Sequence, residues 1–132
     1  MSFTFINPAS LGAPRGYSNG VLTEGGRLLF IAGQIAWNEQ QQIVSEDLVA
    51  QFDRALANVI SVVTEAGGTP DQIARLILYV TDKEDYQRRM KEIGERYRVH
   101  MGKHFPAMVL VEVKSLLDDA AMIEIEGLAV LS

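Results

Sequence analysis

Residues 45–80 read SEDLVAQFDRALANVISVVTEAGGTPDQIARLILYV, and the hydrophobic period changes from helical to extended within them. Leu48, Phe52, Leu56, Val59, Ile60 and Val63 recur at three- and four-residue intervals, one apolar stripe of an amphipathic helix. Ser45, followed by Glu46 and Asp47, offers a hydroxyl to cap the first amides and carboxylates to the positive end of the dipole. Gly67-Gly68 ends the helix, since glycine takes the left-handed conformation of a C-terminal cap without a Cβ clash. After the Thr69-Pro70 turn, Ile73 to Val80 is a strand.

Outward from this stretch the pattern repeats. Asp82 caps a second predicted helix, with Tyr86, Met90, Ile93, Tyr97 and Met101 on its apolar face. Its other face mixes Lys and Arg with Glu, which reads as a solvated helix face rather than a nucleic-acid patch. Ala107 to Lys114 and Ala121 to Leu131 are strand-like, joined by a turn at 115–119. On the N-terminal side, Tyr17 to Thr23 and Arg27 to Ala32 flank Gly25-Gly26 and read as a β-hairpin. The second of these strands is apolar on both faces, which predicts an interior position in the sheet. Asn38 to Gln42 is polar and predicts an exposed loop, and Pro8, Gly12, Pro14 and Gly16 predict a loop-like lead-in over residues 1–16. The order β-β-α-β-α-β-β predicts an α+β fold of two layers over residues 1–132 as a single domain, a mixed sheet with two helices on one face. No helix is left for the other face, so its apolar residues predict an oligomer.

Composition narrows the function. In 132 residues, 17 acidic side chains face 12 basic ones, a net charge of −5, which disfavours broad attraction to phosphate backbones. With no cysteine, there is no disulfide or thiolate zinc site, and His100 and His104 are too few for a histidine-rich centre, so no metal is expected. The chain has no Lys or Arg before Arg15 and no uninterrupted apolar run in Met1 to Ala13, so the layout of a secretory signal is missing. No segment approaches the roughly 18 apolar residues of a membrane helix. The expectation is a soluble, cytoplasmic protein without membrane partners.

Seven short segments then line up in order: Tyr17-Ser18-Asn19-Gly20-Val21, Ala32-Gly33-Gln34-Ile35, Ala50-Gln51 with Ala55-Leu56-Ala57-Asn58-Val59, Glu65-Ala66-Gly67-Gly68, Phe105-Pro106-Ala107, Val111-Glu112-Val113 and Ile123-Glu124-Ile125-Glu126. Together they resemble the YjgF/RidA family, also called the Rid or L-PSP endoribonuclease family, from about Tyr17 to about Val130. The resemblance implies a chorismate-mutase-like α+β fold and a homotrimer with a sheet-lined centre and small-molecule clefts between neighbouring subunits. It also implies hydrolysis of reactive enamines and imines to 2-keto acids and ammonia, with no cofactor.

Carried over residue by residue, the resemblance retains Tyr17, Gly33, Gln34 and Glu124, the last matching the glutamate that holds the attacking water. The arginine that clamps the substrate carboxylate is Met108 here, and a thioether offers neither charge nor donor. The hydroxyl-bearing position before Gly33 is Ala32, the cysteine position is Leu110, and the asparagine of the second helix falls at Met90.

The candidate catalytic residues are therefore Glu124, as a carboxylate that shuttles a proton, and Tyr17, as a phenol that orients the ligand. Ala32, Gly33, Met90, Ala107, Met108 and Leu110 are candidate binding residues, and Arg15 is the nearest replacement for the missing cation. Each has a plainer alternative: Glu124 and Glu126 as a solvated strand face, Tyr17 as an interface aromatic, Arg15 as solvated, Met108 and Leu110 as packing. Lys103 and His104 precede Phe105 and lie near the cleft in sequence, and Trp37 reads as a packing residue more readily than a stacking one. Three functions compete: an imine deaminase of altered specificity for a carboxylate-free or differently anchored ligand, a non-catalytic binding trimer, and a ribonuclease. The charge balance argues against the last.

Overall fold

The computed structural model describes residues 3–132. Helix α1 (Leu48–Glu65) forms on the predicted stripe, burying Leu48, Phe52, Leu56, Val59 and Val63. Its cap is Asp47 rather than Ser45: the Asp47 carboxylate accepts from the Ala50 amide at 3.0 Å. The Ser45 hydroxyl accepts from the Asp47 amide one step earlier, at 3.0 Å, so both side chains shape the entry but the charged one meets the helix dipole. At the other end Gly67 sits at φ 87°, its amide donating to Thr64 and the Gly68 amide to Val63, both at 2.9 Å. This double closure is a Schellman motif, which is why the glycine pair terminates the helix.

Strand β4 (Ile73–Val80) follows as predicted. With β3 (Arg27–Gln34), β5 (Ala107–Glu112) and β6 (Ile123–Leu131) it builds a four-stranded mixed sheet in the order β3-β6-β4-β5. Only β4 and β5 are parallel; β6 runs antiparallel to both of its neighbours. The hairpin predicted across Gly25-Gly26 is therefore absent. The last strand of the chain inserts between β3 and β4, and β2 (Gly20–Leu22) pairs with β1 (Thr4–Ile6) in a separate two-stranded sheet. The lead-in is thus partly strand, with a 3₁₀ turn at Ala9–Leu11; its residues 1 and 2 lie outside the described residues.

Strand β3 is an edge and not an interior strand. Its two apolar faces have another cause. Ile31 is buried on the helix side, whereas Leu28 and Phe30, 58% and 74% exposed, project from the uncovered side. Cross-strand register puts Phe30 with Leu128, Ile77 with Val109 and Tyr79 with Val111 on that same face. Two-sided apolarity reported two faces in need of cover, not lateral position.

The second helix is two pieces, α2 (Lys83–Arg88) and α3 (Met90–Met101), with a break at Arg89. Asp82 caps the first as expected, accepting from the Asp85 amide at 3.0 Å. The spacing signal runs through the break because both pieces turn the same apolar side inward. Arg89 itself reaches Asp47 at 3.1 Å and Glu92 at 2.9 Å, tying the break to the start of α1.

Two polar contacts hold the helices in place. Gln51 is fully buried, donating to the carbonyls of Ser45 (2.8 Å) and Ala120 (3.0 Å) and accepting from the Met122 amide (2.8 Å). Its amide therefore anchors the entry to α1 and to β6 at once. Asp53 on α1 receives Arg96 Nε at 2.8 Å and lies 2.7 Å from His100 Nε2, joining α1 to α3. Burial pushes the Asp53 carboxyl up, but the hydrogen bonds from Arg96 and His100 outweigh it and hold the group below its ordinary value.

Gln51→Leu leaves two carbonyls and one amide unpaired, so chemical denaturation is expected to show a loss of about 3 kcal/mol, with Tm lower by roughly 10 °C. Because Asp53 has a depressed pKa in the folded state, its contribution is complete above the unfolded value near 3.8 and fades as pH falls through the folded value. Asp53→Asn is expected to cost about 1 kcal/mol at pH 7, with the gap to wild type closing in strong acid. A gap that widened in acid would contradict this assignment.

Candidate functional site

Ser18 explains how the lead-in reaches the sheet. Its amide donates to the Pro106 carbonyl at 3.0 Å, its hydroxyl to the Phe105 carbonyl at 2.6 Å, and it bridges Ala107 in parallel. The preceding residues, Arg15 and Tyr17, are thereby fixed at the mouth of a cavity of about 540 Å³ between the sheet and the α2–α3 segment. This size is typical of a small-molecule site.

The floor comes from β4 and β5. Leu76 pairs with Met108 and Leu78 with Leu110, so all four point to the helix side. The far wall is Met90, Ile93 and Tyr97 of α3. Tyr97 stacks on Phe105 with ring centroids 5.5 Å apart and an interplanar angle of 7°, and its hydroxyl donates to the His104 carbonyl at 2.7 Å. Burial pushes the Tyr86 phenol up to about 12, and it also pushes Tyr97 up, so these two phenols are neutral at pH 7.

On the opposite side of the sheet lies a second group. Strand β3 advances three residues from Ile31 to Gln34 while β6 advances only two, from Gly127 to Ile125, which is a β-bulge at Ala32-Gly33. The Gln34 side-chain amide returns to the Ala32 carbonyl at 3.1 Å. A Cβ built on Gly33 would lie 2.0 Å from Glu124 Oε2, so the Glu124 carboxylate occupies the space a side chain at Gly33 would need. Beside it Tyr79 donates its hydroxyl to Glu126, and this bond raises the Tyr79 pKa.

The sequence candidates thus divide. Arg15, Tyr17, Met90, Met108 and Leu110 surround the cavity. Ala32, Gly33 and Glu124 gather on the uncovered face, as does Ala107, which pairs with Arg75 there. Within a single chain the sheet separates the two groups. His104 is a structural residue, Nε2 lying 2.7 Å from the Ile73 carbonyl and the ring stacked on Phe3. Trp37 lies outside the cavity, half-buried and bridged to Ile43.

Several cavity residues escaped the sequence reading. Lys83 and Arg98 were assigned to a solvated face, yet both line the cavity with Gln87, Met90 and Gly94. These five positions follow helical spacing next to the Tyr86-Ile93-Tyr97 stripe, and an internal glycine among charged residues was the available signal. Among the described residues no cluster of His, Cys, Asp or Glu could hold a metal, and no helix is long and apolar enough to cross a membrane.

Known proteins resemble this arrangement. YyfB from Yersinia pestis, described as a protein of unknown function of the conserved Rid protein family, superposes with a TM-score of 0.89 at 34% identity, covering 99% of this chain and 100% of that one. The YjgF gene product of Escherichia coli superposes with a TM-score of 0.67 at 31% identity, covering 94% and 92%. In sequence, a 2-iminobutanoate/2-iminopropanoate deaminase of Salmonella typhimurium is 32% identical over 126 residues, 93% of this chain and 91% of its own length. The sequence model of the family described as Endoribonuclease L-PSP matches residues 8–131. With that match spanning nearly the whole chain, and with the same α+β fold in its structural relatives, the protein belongs to the YjgF/RidA family.

Proposed function

We propose that the protein is an imine hydrolase of altered substrate specificity, acting in a cleft that a second copy of the chain completes. The observation that carries this reading is the close fit of Glu124 against Gly33 at a β-bulge, a carboxylate presented on an uncovered sheet face beside exposed apolar residues. The deaminase relatives and the retention of Tyr17 support it.

The chemistry asks little of the protein, because an imine carbon is already electrophilic. Glu124 accepts a proton from water as the oxygen bonds to the imine carbon, and the nitrogen, protonated in turn, becomes an amine. The carbinolamine then collapses: its hydroxyl proton passes through Glu124 to the amine nitrogen, the C–N bond breaks, ammonia leaves with the electron pair of that bond, and the carbonyl forms. Tyr17 and backbone groups near Gly33 and Ala107 orient the substrate. No cofactor enters these steps, and the residues on either side of the sheet would meet across the boundary between copies in a cytoplasmic homotrimer.

A non-catalytic binding trimer is the second reading, favoured by the joint absence of the arginine at Met108 and the hydroxyl at Ala32. Freshly generated imines, with and without a carboxylate, distinguish the two. Turnover above buffer is expected for wild type, with kcat/KM lower by about 10²-fold or more in Glu124→Ala. Met108→Arg is expected to shift preference towards small carboxylated imines. No turnover of any imine by wild type would sink the enzymatic reading, and RNA cleavage that persists in Glu124→Ala would favour a ribonuclease. Light scattering is expected to report a mass near three chains of 14.6 kDa. Phe30→Asp, which puts a charge on the uncovered face, is expected to lower it.

A further inference from the structure

Two carboxylates share the uncovered face with one phenol. Glu124 and Glu126 project from the same side of β6, and residues two apart on a strand lie only about 7 Å from each other. Across the sheet Tyr79 of β4 stands directly opposite Glu124, with Ile77 opposite Glu126. Register makes Glu124 the nearer partner, yet the single O–H of Tyr79 goes diagonally to Glu126, at 2.5 Å. The Glu124 carboxylate accepts no hydrogen bond from its own chain among the described residues, and it lies in the space above Gly33 instead.

The other strands add no charge to this patch. Strand β5 presents Val109 and Val111 there, and β3 presents Phe30. Arg75, which β4 turns to the same side, stands opposite Leu128, one same-face pair beyond Ile77 and Glu126. The Tyr79 phenol registers the whole group: the bond to Glu126 raises its pKa most, burial and the charges of Glu126 and Glu124 add to this, and Arg75 opposes them.

We infer that Tyr79 is a positioning residue that decides which of the two carboxylates takes a proton. Once a second copy covers the face, water no longer screens the two charges from each other, and they titrate as a coupled pair. On the strand alone the two glutamates are nearly equivalent, so the pair needs something to break the tie. A donated hydrogen bond favours the ionised form of its acceptor, so Tyr79 keeps the charge on Glu126 and leaves the proton to Glu124. This rests on reading Glu124 as the group that takes a proton from water and returns it to the amine. Glu126 touches no substrate in this scheme; its fixed charge acts through Glu124.

Carbon-13 NMR titration of the side-chain carboxyls in the intact oligomer, assigned with Glu124→Gln and Glu126→Gln, reads the proton without requiring turnover. In wild type, protonation is expected at Glu124 before Glu126. Tyr79→Phe keeps the ring and removes only the O–H; it is expected to raise the Glu126 midpoint by about half a pH unit or more, as one lost charge-assisted hydrogen bond would. The proton is then divided between the two carboxylates, and kcat for imine hydrolysis is expected to fall about fivefold with KM changed less than about twofold. Added to Glu126→Gln, Tyr79→Phe is expected to move neither the Glu124 midpoint nor kcat any further. Protonation of Glu126 first in wild type, or unchanged midpoints in Tyr79→Phe, would overturn the inference. So would an equal loss of kcat from Tyr79→Phe with and without Glu126→Gln, because the phenol would then only support the sheet. The expected order of titration in a protein that hydrolyses no imine would refute the catalytic reading and leave the role of Tyr79 in placing the proton standing.

Discussion

The central position of β6 is the constraint on which the rest of the structure depends. It hydrogen-bonds to β3 on one side and β4 on the other, so every change of register there moves both neighbours. Its alternation is strict: Ile123 and Ile125 go into the core, Glu124 and Glu126 to the far face. A strand with period two cannot bury the isoleucines without presenting the glutamates. The carboxylates of the uncovered face and the core under the helices are two consequences of one pleat.

The second organising contact is smaller. Ser18 spends its amide and hydroxyl on the Pro106 and Phe105 carbonyls, which ties a glycine- and proline-containing lead-in to the start of β5. That tie puts Tyr17 and Arg15 beside Met108, although some ninety residues of chain lie between them. Without it the cavity would have a floor and a far wall but no near rim. The aromatic pair Tyr97–Phe105 closes the same corner from the helix side.

The elements most legible in the sequence were those with local causes. The α1 stripe, the Gly67 terminator, the Asp82 cap and the alternation in β6 all arise from contacts within a few residues, and each was readable. Pairing was not. The hairpin inferred across Gly25-Gly26 fails because β2 finds β1 and β3 finds β6, partners chosen by burial across the whole chain. The interior position assigned to β3 fails because apolarity on two faces says nothing about neighbours in the sheet plane. The break at Arg89 was hidden because the apolar spacing continues through it.

The candidate site shows the same division. The sequence by itself determined which residue types are present: a retained Tyr17, Gly33 and Glu124, an apolar Met108 and Leu110, and no thiol anywhere. Those are properties of single positions and short motifs. Tertiary structure alone decided that Glu124 and Met108 stand on opposite faces of one sheet, that Gly33 is the gap filled by the Glu124 carboxylate, and that Lys83 and Arg98 turn to a cavity instead of to solvent alone. Such facts depend on the register of β6 and on how α2 and α3 lie over β4 and β5, and packing among distant segments sets both.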